Sequence, residues 1–158
     1  MAVQDLIAEL MKTPGHKRAI SNPEALNEAP VYGSAFSRGM RIDLNGLVIL
    51  LISGTASIDE VGRTVHPGDL RAQTRRTFKN IEALLAAEGA TWKDIVRTTC
   101  YLRDIERDYD AFNDERTRFY REQGLDPLPA STGIQAILCR PDLLIEIEAI
   151  AMFQVPKS

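Results

Sequence analysis

Alternating apolar and polar residues predict a hairpin in the first third of the chain. The alternation runs from Phe36 to Asp43 and leads directly into Asn45-Gly46, a pair that supplies the positive φ angles of a tight turn. The return strand, Leu47 to Ile52, is apolar on both of its faces, which is typical of a central strand covered on both sides. The next residues, Ser53-Gly54, are expected to end this strand.

Two helices follow, each indicated by apolar residues at helical spacing. In the first, Asp69 is placed to cap the free backbone N–H groups, the apolar positions extend from Leu70 to Leu85, and Gly89 supplies the left-handed stop. The second helix is expected from Arg107 to Gln123. Three more strands are predicted, at 95–102, 130–138 and 143–153.

The order strand, strand, helix, strand, helix, strand, strand predicts a single α/β domain. Two helices cannot cover both faces of such a sheet, so we expect them side by side on one face. The other face then keeps apolar residues exposed unless a second subunit covers it. A homo-oligomer that packs sheet against sheet is therefore expected.

The first 30 residues differ in character from the rest of the chain. A short amphipathic stretch at residues 6–11 precedes Pro14-Gly15 and Asn22-Pro23. Turn-forming pairs at this density predict an arm, residues 1–30, that lies on the surface and begins with a short helix. The compact domain is then predicted to cover residues 31–158.

Length and composition are those of one globular domain. The chain has 158 residues, of which 44% are hydrophobic and 26% are charged. Its longest apolar run, Leu47 to Ile52, is far too short to cross a bilayer, and Asp5 and Glu9 interrupt the layout of a secretory signal. These observations predict a cytoplasmic protein with no membrane partner.

The net charge argues against a nucleic-acid-binding protein, and the cysteines and histidines argue against a disulfide framework or a metal site. A net charge of −3 with no basic patch argues against nucleic acid as a partner. Cys100 and Cys139 make neither a disulfide framework nor a metal knuckle, and His16 and His66 lack metal-ligand spacing. The sequence contains no phosphate loop or dinucleotide fingerprint. The expected ligand is a small polar metabolite, bound without a metal or a cofactor.

The sharpest candidate for chemistry is a pair of glutamates in the last predicted strand. Strand alternation sends Glu146 and Glu148 to one face, and Ile145 and Ile147 to the other. Where such a face meets a cleft or a subunit interface, one carboxyl becomes a general acid or base with a raised pKa. The alternative, which the pattern leaves open, is a solvated strand face with ordinary surface acids.

Three further segments carry groups that suit a small ligand. Ser53-Gly54 either brings the backbone close to a ligand or merely turns the chain. Ser131-Thr132-Gly133 combines hydroxyls with backbone N–H groups, as a carboxylate cradle requires. Arg140 suits two parallel hydrogen bonds to a carboxylate unless it is only a solvated charge, and Cys139 is more typical of a small buried residue than of a nucleophile.

Short motifs follow one another in a characteristic order. They are Ile52-Ser53-Gly54, Asn80-Ile81, Tyr101-Leu102-Arg103-Asp104, Pro129-Ala130 and the ending from Ile145 to Ala151. In this order and spacing, over about Gly33 to Phe153, they resemble the RidA/YjgF family, small trimeric proteins that hydrolyse reactive enamines and imines. The resemblance implies an α+β, chorismate-mutase-like fold with a mixed sheet. It also implies a trimer whose barrel-like core has a site in each cleft between neighbouring subunits.

The resemblance also implies roles for individual residues. Glu146 matches the family's site glutamate, which positions the attacking water, and Ser53 and Asn113 match positions that line the same cleft. Two residues depart from the pattern. Ser131 replaces the arginine with which active deaminases of the family grip the substrate carboxylate, and Phe36 stands where they usually carry a tyrosine.

A second resemblance concerns the C-terminal half of chorismatases. The residues that carry it are Ser53 to Ile58, His66 to Asp69, Gln73-Thr74-Arg75, Cys139-Arg140-Pro141 and Glu146. Those enzymes hydrolyse or eliminate the pyruvyl ether of chorismate, and a glutamate at this strand position is their general acid. An enol ether and an enamine share one chemical problem, because carbon must be protonated before water attacks the cation.

The leading hypothesis is a Rid-type hydrolase or deaminase that acts on a small enamine, imine or enol-ether acid. Glu146 would serve as the acid and base, and Arg140 or Arg38 would replace the missing arginine. The alternative is a non-catalytic metabolite-binding or chaperone-like trimer, which the replacement of the family's arginine by Ser131 favours. A ribonuclease is disfavoured by the acidic balance and by the absence of a histidine or lysine cluster beside Glu146.

Overall fold

The structure is a computed structural model that describes residues 3–5 and 16–155. Within these residues six strands form one sheet: β1 His16–Ile20, β2 Gly39–Leu44, β3 Leu47–Ala56, β4 Ile95–Leu102, β5 Ala130–Gln135 and β6 Ile145–Gln154. The two long helices of this part of the chain are α1 Leu70–Ala87 and α2 Ile105–Glu122. Short 3-10 helices lie at Ala29–Tyr32 and Trp92–Asp94.

The strands lie across the sheet in the order β1-β2-β3-β6-β4-β5. Neighbouring strands are antiparallel except for β4 and β5, which run parallel and are connected through α2. A parallel pair needs a crossover connection, and the helix provides it. The predicted α+β fold with a mixed sheet is therefore confirmed.

Both long helices pack on one face of the sheet, as the pattern predicts. Val48, Leu50 and Ile52 of β3 are at most 3% exposed, and they share a core with Phe78 and Ile81 of α1. Full burial of one such side chain contributes about 1.5–3 kcal/mol, so this layer holds the helices on the sheet. Among the residues that the structure describes, none of the helices could span a membrane.

The opposite face of the sheet is open in the single chain. Leu51 of β3 is 41% exposed, and Val96 and Met152 are 42% and 38% exposed. The expectation that the strand from Leu47 to Ile52 is covered on both sides is therefore wrong for one chain, because the helices cover only one face. Association of this face with another subunit stays a prediction.

Turn and capping residues act as the sequence predicts. Asn45 and Gly46 have φ angles of 50° and 90°, as a tight turn between β2 and β3 requires. The Asp69 side chain accepts a hydrogen bond of 2.9 Å from the backbone N–H of Ala72 and so caps α1. Gly89 follows that helix with a φ angle of 74°. These local signals fix where the elements begin and end.

Two predicted strand ends are wrong. β5 ends at Gln135 and not at residue 138. β3 does not stop at Ser53-Gly54 but continues to Ala56, and its register against β6 shifts between Ile52 and Thr55. Such a bulge inserts extra residues into one strand and bends it. The bend is a property of the strand pair, so the sequence of β3 alone does not reveal it.

The segment predicted as a surface arm contributes a strand to the sheet. β1 pairs with β2 at the sheet edge, and Ile20 and Leu26 are completely buried. The hydrophobic pattern did not reveal β1, because its first four residues are all exposed. Residues 3–5 at the start of the predicted arm are helical, whereas the amphipathic stretch at residues 6–11 lies outside the described residues. The division of the chain at residue 30 stays a prediction.

Candidate active site

A cleft of about 650 Å³ opens beside the bulge of β3. We call it the Glu146 cleft. It brings together seven of the residues predicted from the sequence: Phe36, Arg38, Ser53, Gly54, Cys139, Arg140 and Glu146. These residues come from β3, from β6, from the segment before β2 and from the loop before β6, so only the folded sheet assembles them.

Strand alternation aims Glu146 into this cleft. Ile145 and Ile147 are completely buried in the core, whereas Glu146 and Glu148 lie on the other side of β6, which confirms the predicted shared face. Gly54 lies against the carboxylate, because a Cβ at this residue would be 2.1 Å from Glu146 Oε1. Only glycine leaves room for the carboxylate where it stands.

The Glu146 carboxyl is in an environment that suits proton transfer. Burial raises the pKa of Glu146 above the ordinary glutamate value, and the negative charge of Glu148 raises it further. Glu148 itself accepts a hydrogen bond of 3.0 Å from the Tyr101 hydroxyl. None of the hydrogen bonds between described residues engages the Glu146 carboxylate, so its oxygens face the cleft with no donor that would lower the pKa.

Arg38 forms a positively charged wall of the cleft. Only 3% of the residue is exposed, and its Nε and Nη2 donate to the Asn27 carbonyl oxygen at 2.8 and 2.6 Å. Its guanidinium carbon lies 5.5 and 5.6 Å from the ring centres of Tyr32 and Phe36. No carboxylate in the described part of the chain forms an ion pair with Arg38, so its charge acts on the cleft.

The loop 138–143, which precedes β6, is fixed by two buried or half-buried side chains. Arg103 donates from Nε to the Leu143 carbonyl oxygen at 2.6 Å and from Nη2 to the Arg140 carbonyl oxygen at 2.5 Å. Gln73 of α1 is completely buried and accepts from the Leu144 backbone N–H at 2.8 Å. The loop therefore has a defined position at the cleft.

Arg140 adds a second guanidinium to the cleft wall. It donates from Nη1 to the Gly62 carbonyl oxygen at 2.7 Å, and within residues 3–5 and 16–155 it forms no ion pair with a carboxylate. The neighbouring Cys139 is exposed. The expectation of a buried cysteine is therefore wrong, because this residue lines the open cleft.

Asn113 and Ser131 lie away from Glu146 in the single chain. They line a second cleft of about 440 Å³ between α2 and β5, which we call the β5 cleft. The hydroxyl of Thr132 accepts a hydrogen bond of 2.8 Å from Arg97, and Gly133 faces α2. Successive strand residues point to opposite faces, so the hydroxyls of Ser131 and Thr132 form no joint cradle within one chain.

Sequence reasoning missed residues that shape the Glu146 cleft. Tyr32 lines it, with its ring centre 6.5 Å from that of Phe36, and so brings a phenol hydroxyl to the cleft that Phe36 lacks. Asn27 holds Arg38 mainly through a backbone carbonyl, which leaves no signal in the residue type. Among the described residues, no group of three or more His, Cys, Asp and Glu side chains could hold a metal ion.

Comparison with known proteins gives a consistent set of matches. A family model described as Endoribonuclease L-PSP matches residues 27–153. The 3-aminoacrylate deaminase RutC of Acinetobacter baylyi is 36% identical over 103 residues, which cover 65% of this chain and 78% of that protein. The YjgF gene product of E. coli is 28% identical, with a TM-score of 0.69 and coverage of 85% of this chain and 97% of that one. E. coli TdcF, solved with bound serine, is 25% identical, with a TM-score of 0.71 and coverage of 87% and 99%.

The family model extends over both clefts. The family model begins at Asn27, which holds Arg38, and ends beyond Glu146. The solved relatives align over nearly their whole length, so they share this fold. The order of motifs in the sequence, the observed fold and the family model agree, and the chain therefore belongs to the RidA/YjgF family.

Proposed function

We propose that the protein is a Rid-type hydrolase that acts on a small enamine, imine or enol-ether carboxylic acid, with Glu146 as general acid and base. The observation that carries the proposal is the environment of Glu146, a carboxyl with a raised pKa in a cleft whose two guanidinium groups have no acidic partner in the described chain. A carboxyl transfers protons best when its pKa lies near the working pH. The positive walls favour a substrate that carries a carboxylate.

The proposed reaction uses one carboxyl twice. Protonated Glu146 gives its proton to the enamine carbon β to nitrogen, and the C=C electron pair forms the new C–H bond and leaves an iminium ion. The Glu146 carboxylate then takes a proton from water as the water oxygen attacks the iminium carbon. Collapse of the resulting carbinolamine releases ammonia and the oxo acid. An enol ether follows the same course, with an alcohol as the leaving group.

Two relatives support a small nitrogen-containing acid as the substrate. The A. baylyi protein is named a 3-aminoacrylate deaminase, and TdcF was solved with serine. Both compounds are small carboxylates that carry nitrogen. Family membership alone does not give the substrate of this chain, because related sites on one fold accept different ligands.

We also propose a trimer in which the β5 cleft of one subunit meets the Glu146 cleft of its neighbour. The support is the open face of the sheet, together with Leu128 and Ile137 near β5, which are 67% and 95% exposed. Exposed apolar residues in such numbers are typical of a protein interface. Sedimentation velocity tests this directly, and a monomer at micromolar concentration would contradict it.

A second candidate function is a non-catalytic metabolite-binding trimer of the same fold. Ser131 favours it, because loss of the family arginine removes a charge-assisted contact to the substrate carboxylate. Such a protein would bind small acids in a saturable way without converting them. Turnover by the purified protein would exclude this candidate.

The deciding experiment measures product release from freshly generated 2-aminoacrylate, 3-aminoacrylate and chorismate. We expect turnover of at least one compound, with a loss of about 10²–10⁴ in Glu146→Gln, the usual contribution of a general acid or base. Glu82→Gln, which changes an exposed glutamate on α1, is the matched control and should keep the wild-type rate. Equal turnover in Glu146→Gln and the wild type would refute the proposed role.

A further inference from the structure

A guanidinium group occupies the β5 cleft without an acidic partner. Arg116 is half-buried on α2 and donates from Nη2 to Asn113 Oδ1 at 2.6 Å and from Nη1 to Ser131 Oγ at 3.1 Å. Its guanidinium carbon lies 4.9 Å from the ring centre of Phe112. Three neighbours therefore fix the plane and the position of the group.

The charge of Arg116 is not neutralised by the protein, in contrast to other arginines of the same helix. Arg118 forms an ion pair with Glu115, and Arg107 forms one with Asp108. Within residues 3–5 and 16–155, Arg116 forms no ion pair, and both of its hydrogen-bond acceptors are neutral oxygens. A half-buried cation with neutral neighbours attracts an anion more strongly than one that is already paired.

Ser131 adds a donor beside this guanidinium. Its Oγ accepts from Arg116 and also from the Thr98 hydroxyl, at 3.1 Å in each case. With both of these bonds accepted, the one hydroxyl proton of Ser131 is free to turn to an anion bound beside Arg116. Leu125, Leu128 and Pro129 supply an apolar wall. A planar guanidinium, a hydroxyl donor and a short apolar wall together suit a small carboxylate with a hydrocarbon part.

We propose that Arg116 is the residue that binds the substrate carboxylate, with its guanidinium carried by α2 instead of by β5. The inference rests on the proposed function, because the trimer proposed above would bring this cleft to the Glu146 cleft of a neighbouring subunit. Arg116 contacts Ser131, the residue at which the family pattern led us to expect an arginine. Arg38 and Arg140 use their hydrogen bonds on backbone carbonyl oxygens in the wall of the Glu146 cleft. Their charges therefore attract the substrate from a greater distance than a direct contact with its carboxylate would.

Binding of pyruvate to the full chain, measured by isothermal titration calorimetry, tests the inference. Arg116→Gln should weaken pyruvate binding by about tenfold or more, the usual effect of losing a hydrogen bond between charged groups. Binding of pyruvamide, the uncharged analogue, should not change. Arg63→Gln is the matched control, because it removes an exposed guanidinium far from α2 in sequence, and it should bind pyruvate as the wild type does.

A second variant separates carboxylate binding from a merely structural role. In Arg116→Gln combined with Ser131→Arg, the guanidinium returns to β5 and pyruvate binding should recover, whereas a structural defect on α2 would persist. Unchanged pyruvate binding in Arg116→Gln, no pyruvate binding by the wild type, or failure of the double variant to recover would each overturn the inference.

Turnover measured on the same proteins distinguishes this failure from failure of the proposed function. If turnover depends on Glu146 but Arg116→Gln has the KM of the wild type, only the role of Arg116 is overturned. Pyruvate binding that depends on Arg116 in a protein without turnover would instead overturn the proposed reaction and leave the carboxylate site in place.

Discussion

The contact between Gly54 and Glu146 predicts that one added methyl group will disable the site. In Gly54→Ala the new Cβ would lie 2.1 Å from Glu146 Oε1 and 3.0 Å from Glu146 Cδ, so the carboxylate has to retreat by roughly 1 Å. A displacement of this size at a reacting group costs about 10²-fold in rate. We therefore expect kcat/KM to fall by about two orders of magnitude.

The same substitution should leave the fold intact. The methyl group meets the flexible end of a side chain, and the φ angle of Gly54 is not in the left-handed region. Replacing glycine by alanine also restricts the unfolded chain, which stabilises the folded state by about 0.4–1 kcal/mol where the backbone permits it. Urea denaturation should therefore give a free energy of unfolding within about 1 kcal/mol of the wild type.

A double-mutant cycle shows whether Gly54→Ala acts through Glu146. If it does, the variant that combines it with Glu146→Gln should be no slower than Glu146→Gln alone, because the displaced group is already inactive. If the methyl group only blocks substrate entry, the two losses should multiply. Wild-type kcat/KM in Gly54→Ala, or multiplied losses in the cycle, would refute the reasoning.

Three further predictions concern stability and assembly. Burial alone would raise the pKa of Glu115, but hydrogen bonds from Arg75 and Arg71 lower it overall. The Glu115 carboxylate therefore stabilises the folded state fully above its unfolded-state pKa, and this contribution is lost as pH falls through its folded-state pKa. Glu115→Gln should lower the free energy of unfolding in urea by about 1.5–3 kcal/mol at neutral pH and much less in acid. The pKa of Glu146 is raised, so its charged form destabilises the folded state. Glu146→Gln should therefore increase the free energy of unfolding above the folded-state pKa and leave it unchanged below the unfolded-state pKa. An equal effect in acid would contradict this. Leu51→Glu on the open sheet face should convert the proposed trimer to a monomer in sedimentation velocity, and that monomer should still show a measurable melting temperature.

The features predicted correctly from the sequence are those that neighbouring residues determine. Asn45-Gly46 produces its hairpin because both residues tolerate positive φ angles, and Asp69 caps α1 because its side chain reaches an N–H three residues away. The alternation that sends Glu146 and Glu148 to one face is likewise a property of any strand. Such interactions need no knowledge of distant parts of the chain.

The features that the sequence did not reveal depend on contacts between distant segments. The bulge of β3 exists only against β6, about 90 residues further on, and it explains why Gly54 is needed beside Glu146. β1 lacks an apolar pattern because it lies at an edge and exposes its first residues. Arg116 gave no signal as a ligand-binding residue, because an arginine on an amphipathic helix is most often a solvated charge.

The pH dependence of kcat/KM, measured with the most active substrate for the wild type and Glu146→Gln, tests the central role of Glu146 most directly. This profile reports the ionisation of groups in the free enzyme. Burial and the charge of Glu148 raise the pKa of Glu146, so the wild-type profile should contain a limb with an apparent pKa above the ordinary glutamate value, and Glu146→Gln should lack it. A limb that persists unchanged in Glu146→Gln, or a wild-type profile without one, would contradict the assignment of Glu146 as the acid and base.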